Sequence, residues 1–192
     1  MKIKGHELEY FDDGHIYLVD GIIVPSITEI LKVRFGRKYE GISKDTLKRA
    51  ADRGTAIHEA IELFCSGVYT DLPEVKNFTF LERQYGFAPI ANEVPVILFD
   101  EDEPIAGGRL DMVIVEKEEH GLADIKTTST LDKEYLAYQL NLYRIAYQQS
   151  YGADIKLLRG LHLRGDVRKY VPIPINEAAA WELVREYKEK SL

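Results

Sequence analysis

The strongest constraint on the fold of this chain is a block of three strand-type segments, residues 92 to 126, set between two long segments with helical periodicity. Asn92 to Phe99, Ile105 to Val115 and Leu122 to Lys126 are rich in β-branched and apolar residues, and an acidic turn (Asp100 to Glu103) and a polar turn (Glu116 to His120) separate them. On the amino-terminal side, Ser43 can cap a long helix whose apolar stripe runs through Leu47, Ala50, Ala51, Gly54, Ile57, Ile61, Phe64 and Cys65, with Gly67 as a stop. On the carboxy-terminal side, Thr127 to Leu131 lead into a second amphipathic helix, Asp132 to Tyr151, ended by Gly152. Two further strands, Ile155 to Leu163 and Arg168 to Ile173, meet at Arg164-Gly165-Asp166, and Asn176 can cap a terminal helix. Helix, three strands, helix, strand is the order of a mixed α/β domain.

The ends decorate that core. Leu8 to Phe11, His15 to Val19 and Ile22 to Val24, with turns at Asp12-Asp13-Gly14 and Asp20-Gly21, predict a small β-meander. Ser26-Ile27-Thr28-Glu29 has the spacing of a capping box and starts a short helix to about Arg34. Asp71, Pro73 and Glu74 open another, ending near Gly86. With 192 residues, 45% of them apolar, the chain can bury one substantial core, so we read residues 1–192 as one domain: meander and basic segment (1–42), core (43–175) and terminal helix (176–192). No apolar run approaches the roughly 20 residues of a spanning helix. The first residues lack a secretory pattern, which predicts a cytoplasmic protein that is not secreted and makes no membrane contact. The single cysteine, Cys65, excludes a disulfide framework and any four-cysteine metal or iron-sulfur site. It reads as a small apolar residue on its helix.

The net charge of -7 disfavours a polyanionic partner at long range, but the charge is uneven. Lys32, Arg34, Arg37, Lys38, Lys44, Lys48, Arg49 and Arg53 face only Glu40, Asp45 and Asp52 within residues 32–53, a local balance of +5. Such a run is either a solvated face or a binding surface, and Phe35 and Tyr39 within it are available for base stacking.

The residues that can carry chemistry converge on the central block. A turn centred between Lys117 and Glu118 sets Val115 opposite His120 and Val113 opposite Leu122, and so Asp111 opposite Asp124. Directly opposed Cβ atoms are roughly 4.5 to 5.5 Å apart, so both carboxylates can ligate one hard cation. Asp124 and Lys126 share a strand face, and Ile125 points into the opposite, apolar layer. Two carboxylates beside an ammonium suit metal-assisted hydrolysis; a plain Asp–Lys salt bridge on a solvated sheet is the alternative. His58 lies on the apolar stripe, where a neutral ring can ligate the same cation or hydrogen-bond a carbonyl, and Gly54 would let the helix approach the sheet. Gln139 and Tyr143, one helical turn apart, are either core or a phosphodiester-facing pair.

Four of these segments carry a resemblance. Gly54-Thr55-Ala56-Ile57-His58 resembles the Gly-x-x-x-His motif of RecB-like nucleases in the PD-(D/E)XK superfamily, and Gly108-Arg109-Leu110-Asp111 resembles the Gly-x-x-Asp motif. Asp124-Ile125-Lys126 resembles the (D/E)-x-K motif, and Gln139-Leu140-Asn141-Leu142-Tyr143 the Gln-x-x-x-Tyr motif. All four occur in the expected order over roughly residues 50 to 147, and Val24-Pro25-Ser26-Ile27-Thr28 is similar to the amino-terminal segment of phage, bacterial and mitochondrial exonucleases of this group.

The resemblance implies a restriction-endonuclease-like α/β fold (α-β-β-β-α-β, a central mixed sheet flanked by helices) with the meander appended. It implies that His58, Asp111, Asp124 and the Ile125 carbonyl bind Mg²⁺ or Mn²⁺, that Lys126 acts at the attacking water, and that Glu93 sits beside the metal. Gln139 and Tyr143 would position nucleic acid, with Lys48, Arg49, Arg53, Arg37 and Lys38 guiding the strand. The expected activity is a metal-dependent deoxyribonuclease, an exonuclease on single-stranded or duplex DNA ends in recombination, repair or phage DNA processing in a bacterial or phage-infected cell. A helicase, single-strand-binding or annealing protein would be its partner, since no phosphate-binding loop of a motor is present. The alternatives are an endonuclease of the same superfamily, a non-catalytic DNA-binding or assembly module on this fold, and a metal-dependent hydrolase acting on other substrates.

Overall fold

The computed structural model describes residues 1–11 and 14–191, and in it two β-sheets meet at the outer end of a long hairpin. The first sheet is antiparallel, β1 (Lys2–Ile3), β2 (His6–Phe11), β3 (Ile16–Val19) and β4 (Ile22–Val24) in that order. The sequence predicted three of these strands; β1 is additional, pairing Lys2 with Glu7 and Ile3 with His6. Asp20 and Gly21 both take positive φ (53° and 78°), the two-residue turn whose twist suits a hairpin. Asp12 and Asp13 of the first expected turn lie outside the described residues.

Helix α1 (Ile27–Phe35) follows, and Ser26 Oγ accepts the Glu29 amide at 3.0 Å as the capping spacing required. A 3₁₀ turn (Gly36–Tyr39) leads to α2 (Lys44–Cys65), capped by Ser43, and then to α3 (Pro73–Tyr85). Leu72, not Asp71, is the N-cap of α3 and makes no side-chain cap; Asp71 is instead paired with Lys76 at 2.6 Å. The central block becomes β5 (Phe87–Asp100), β6 (Glu103–Glu116) and β7 (Glu119–Lys126). Helix α4 (Lys133–Tyr151), strands β8 (Leu157–Arg164) and β9 (Val167–Ile173), and α5 (Glu177–Ser191) complete the chain.

The second sheet has the order β5-β6-β7-β8-β9 and is mixed: β7 and β8 are parallel, joined across α4, and the other neighbours are antiparallel. One face is covered by α1, α4 and α5 through Ile30, Leu140, Leu142, Leu183 and their neighbours. The other face is covered by α2 and α3 through Ile57, Ile61, Phe78 and Leu81. The small sheet closes over β5 and β6 with Leu8, Tyr17, Ile97 and Phe99, and the Gly107 amide donates to the Pro25 carbonyl at 3.0 Å where the two sheets meet. This is the α-β-β-β-α-β order with an amino-terminal antiparallel sheet that the sequence predicted.

The α2 stripe departs from expectation. Ile57, Ala60 and Ile61 are buried, but Ala50 and Ala51 are exposed and Leu47 is only partly covered. Alanine is apolar enough to extend a stripe and small enough to leave it unburied at little cost, so the pattern does not reveal that the first turns of α2 run beyond the sheet. Phe35 is also not a free stacking surface: its ring packs on Tyr135 and Tyr138, with centroids 5.4 and 5.8 Å away.

Candidate metal and catalytic site

Three adjacent strands set three carboxylates in a row. The β5–β6 ladder pairs Asn92 with Met112 and Val94 with Leu110, so Glu93 faces Asp111 between them. The β6–β7 ladder pairs Val115 with His120 and Val113 with Leu122, as the turn position predicted, and ends at Met112 with Ala123. Continuing that count places Asp111 across from Asp124, but the strands no longer pair there. The Asp111 carboxylate takes the Ile125 amide instead, Oδ2 accepting at 2.7 Å. That bond fixes the carboxylate between the strands and leaves its second oxygen for another partner.

Glu93 reaches this row through an irregular backbone. Its φ is +49° in the middle of a 14-residue strand, a left-handed conformation that a glutamate adopts only at a cost of about 1–3 kcal/mol. The site meets that cost by aiming the side chain at Asp111 and at His58 on α2. One ligand atom each from His58, Glu93 and Asp111 lies within 4.8 Å of the others. His58 Nδ1 is 3.6 Å from Asp111 Oδ2 and 4.0 Å from Glu93 Oε1.

The tautomer of His58 follows from its other nitrogen. Nε2 lies 3.0 Å from the Ile125 carbonyl, and a carbonyl only accepts, so Nε2 carries the proton. Nδ1 is then the nitrogen that faces the two carboxylates, and with its lone pair free it is placed as in a metal-ligating histidine oriented through its other nitrogen. The carbonyl bond that the sequence left as one alternative is present, and the other ring nitrogen faces the two acids.

Asp124 stands outside this trio. It is 2% exposed, and its Oδ2 is 2.5 Å from Lys126 Nζ. Burial raises the Asp124 carboxyl well above its usual range against the pull of Lys126, and Asp111 raises it further. Burial alone would lower the Lys126 pKa, but Asp124 and Asp111 outweigh it and keep the ammonium charged. Glu93 is pushed up to about 7, by burial first and then by Asp111, against Arg109 and His58. Arg109, for which strand alternation alone defines no role, is 2.7 Å from Glu93 Oε2 and lies over the Tyr10 ring at 4.7 Å. Carboxylates held above their ordinary range are anions short of positive charge, which a divalent cation supplies.

The row opens into a cleft of about 810 Å³ walled by α2, by Gln139 and Tyr143 on α4, and by Tyr10 and Tyr17 of the small sheet. Gln139 is 6% exposed, and its Oε1 has no hydrogen-bond partner among the described residues. Gly108 explains how α4 comes this near: a Cβ there would stand 2.8 Å from the Tyr143 ring and 2.9 Å from Ile27. Gly54 is less demanding than the sequence suggested, since a Cβ would meet only the Thr127 hydroxyl, at 3.4 Å. A hollow of similar size, about 830 Å³, lies between the end of α2 and α3, but it is walled by Phe64, Tyr69, Phe80, Lys76 and Arg83, and among the described residues no acid or histidine lines it.

The basic residues divide. Arg49 and Arg53 lie on α2 beside the loop after β7. Lys48 is paired with Asp52 at 2.9 Å, Arg37 projects into solvent 3.9 Å from Glu40, and Lys38 is bonded to Asp132 at 2.7 Å, at the start of α4. The Tyr39 side chain lies outside the described part. Thr127, Thr128 and Arg164, which the sequence did not single out, share the hollow of Arg49 and Arg53. Cys65 is half-buried at the edge of the α2–α3 core, and burial pushes its thiol up to about 11. Among the described residues no helix is long and apolar enough to cross a membrane.

No protein-family model matches the chain, and no curated protein is similar to it in sequence. Solved structures are similar to it in fold, and two of them illustrate the likeness. The crystal structure of SSO0001 superimposes with a TM-score of 0.52 at 14% identity, over 87% of this chain and 76% of that one. An alkaline exonuclease, LHK-Exo from Laribacter hongkongensis, superimposes with a TM-score of 0.47 at 15% identity, over 86% of this chain and 84% of that one.

Proposed function

We propose that this chain is a divalent-metal-dependent nuclease that hydrolyses phosphodiester bonds at DNA ends. The observation that carries the reading is the convergence of the His58 Nδ1 lone pair with the Glu93 and Asp111 carboxylates in a cleft, beside the Asp124–Lys126 pair. The donors are one imidazole and hard carboxylate oxygens, with the Ile125 carbonyl adjacent, a set that fits Mg²⁺ or Mn²⁺ and offers no thiolate for a softer metal. A bound cation would polarise the scissile phosphate and lower the pKa of water. Lys126, kept charged by its two acidic neighbours, would orient the attacking water and stabilise the charge developing on phosphate. Asp111, held by the Ile125 amide, and Asp124, held by Lys126, keep the acidic row in place without substrate. Gln139 and Tyr143 would position the strand from the α4 wall, with Arg49 and Arg53 on the opposite side. A single-strand-binding or annealing partner, or a helicase, would present the DNA end.

The test compares end-labelled linear DNA with closed circular DNA in Mg²⁺, Mn²⁺ and chelator. Release of mononucleotides from the linear substrate alone, abolished by chelator and by Asp111→Ala and Lys126→Ala in variants whose circular dichroism is unchanged, supports the reading. Metal-dependent cleavage retained in either variant overturns it. Nicking of the circle would assign endonuclease action instead.

A further inference from the structure

Beside the cleft, the exposed first turns of α2 and the loop that leaves β7 enclose a hollow of about 300 Å³, walled by Thr46, Arg49, Arg53, Thr127, Thr128 and Arg164. Its charge is arranged for an anion. Arg49, Arg53 and Arg164 contribute three positive charges, and among the described residues the one carboxylate bonded to them is Glu74, which is 3% exposed. Glu74 Oε1 accepts from both Arg53 Nη2 at 2.6 Å and the Gly165 amide at 2.9 Å, so it holds the arginine and the β8–β9 turn in place. A net charge of about +2 remains for a ligand.

The groups that would repel an anion are already occupied. The Thr127 carbonyl accepts from Arg164 Nη1 at 3.2 Å, and the Thr128 carbonyl accepts from the buried His162 Nε2 at 2.7 Å. The Asp45 carbonyl takes Arg49 Nε at 3.3 Å. Each arginine gives one N–H to the protein in these bonds and keeps the rest of its fork, the geometry that matches a phosphate. Ser43 donates to Thr46 Oγ1 at 2.9 Å, which leaves the Thr46 hydroxyl proton for a ligand. Thr127 directly follows Lys126, so the hollow lies one residue along the chain from the ammonium of the proposed catalytic site.

We infer that this hollow is a second phosphate-binding subsite, which grips a phosphate group of the nucleic-acid strand while another phosphate lies at the acidic row, and so sets where along the strand the bond is cut. The inference rests on the nuclease reading for its substrate class, but its chemistry is that of a terminal phosphate monoester or an internal phosphodiester, and it is tested by binding alone.

The experiment measures affinity of the full chain for short fluorescent single-stranded oligonucleotides in Ca²⁺ and in chelator, as a function of salt. Oligonucleotides carry a phosphate or a hydroxyl at either end, or one neutral methylphosphonate linkage placed at successive positions. Arg49→Gln and Arg164→Gln are expected to weaken binding about tenfold and to reduce the salt slope by about 0.7 for each phosphate of a single strand that is no longer neutralised. Arg49 is exposed, so its substitution keeps the test informative if the Arg164 variant folds poorly. If the subsite takes a terminal phosphate, the wild-type protein prefers one phosphorylated end by a similar factor and both variants lose the preference. If it takes an internal phosphate, one methylphosphonate position weakens wild-type binding and leaves the variants unaffected. Wild-type affinity and slope in both folded variants overturn the inference. These binding differences without any cleavage would sink the nuclease reading while leaving the subsite standing.

Discussion

Glu93 and Asp111 face each other across β5 and β6, and Glu93 does so from a left-handed backbone with φ of +49°. Burial, and then repulsion by the opposed Asp111 carboxylate, outweigh the Arg109 guanidinium 2.7 Å away and push the Glu93 carboxyl up to about 7. A metal must displace the carboxyl proton. Mn²⁺ affinity is therefore expected to rise with pH between about 5.5 and 7.5, with proton release on binding, as calorimetry in two buffers of different ionisation enthalpy would register. The folded pKa is raised above the ordinary value of 4.5, so the metal-free fold binds more protons than the unfolded chain between 4.5 and about 7 and loses stability as pH rises through that window. The thermal shift given by Mn²⁺ should accordingly be larger at pH 8 than at pH 5.5, and Glu93→Gln should flatten the difference. A shift independent of pH would contradict this account.

Among the described residues His58 supplies the one nitrogen donor of the group, and its ring is oriented by the Ile125 carbonyl. His58→Ala removes the donor and His58→Asn shortens it, and either is expected to weaken Mn²⁺ binding by roughly 10- to 100-fold. Electron paramagnetic resonance of free Mn²⁺ during titration reads this directly. Unchanged affinity in both variants would make His58 a structural residue.

The two motif glycines are expected to behave differently. A Cβ at Gly108 meets the Tyr143 ring and Ile27 inside 3 Å, and both neighbours are buried, so Gly108→Ala should cost about 1–3 kcal/mol in urea unfolding and displace the cleft wall. Gly54 sits in mid-helix, where its Cβ would touch only the Thr127 hydroxyl at 3.4 Å, so Gly54→Ala should be neutral or stabilise by up to about 1 kcal/mol. Equal destabilisation by both substitutions would show that the packing around Gly108 relaxes more easily than its distances imply.

That contrast also marks what the sequence can reveal. The β6–β7 register is legible because apolar alternation and a turn centred between Lys117 and Glu118 over-determine it. The ladder nevertheless ends at Met112 and Ala123, one pair short of Asp111 and Asp124, and no local pattern signals that the Asp111 carboxylate takes the Ile125 amide there instead. The cap at Ser26 and the ends of α4 are legible for the same local reasons. Other features depend on residues far apart in the chain. Glu93 takes its positive φ between two regular pairs of the β5–β6 ladder, Asn92 with Met112 and Val94 with Leu110, and nothing in Asn92-Glu93-Val94 signals it. Arg164 reaches Thr127 because β8 lies parallel to β7 across α4, a register that pairs Lys126 with His162 and that no local pattern encodes. Ala50 and Ala51 mislead because alanine reads the same whether a helix turn is covered or left bare.

Glu74 is a buried carboxylate whose two partners, Arg53 and the Gly165 amide, come from opposite ends of the core. Burial alone would raise its pKa, but those two bonds outweigh it and hold the carboxyl below the ordinary value of 4.5. The sign is opposite to that of Glu93: the stability it contributes is fully present above about pH 4.5 and is lost as pH falls through the depressed folded value. The denaturation midpoint of the wild-type protein should therefore drop between pH 5 and pH 3, and the drop should be smaller in Glu74→Gln, where no charge is left to titrate. Glu74→Ala leaves the Gly165 amide without its acceptor and Arg53 without its counter-charge, so it should cost about 3 kcal/mol at neutral pH. It should also weaken oligonucleotide binding in Ca²⁺ by releasing Arg53 from the wall of the phosphate hollow, an effect that stability loss in a still-folded protein would not produce.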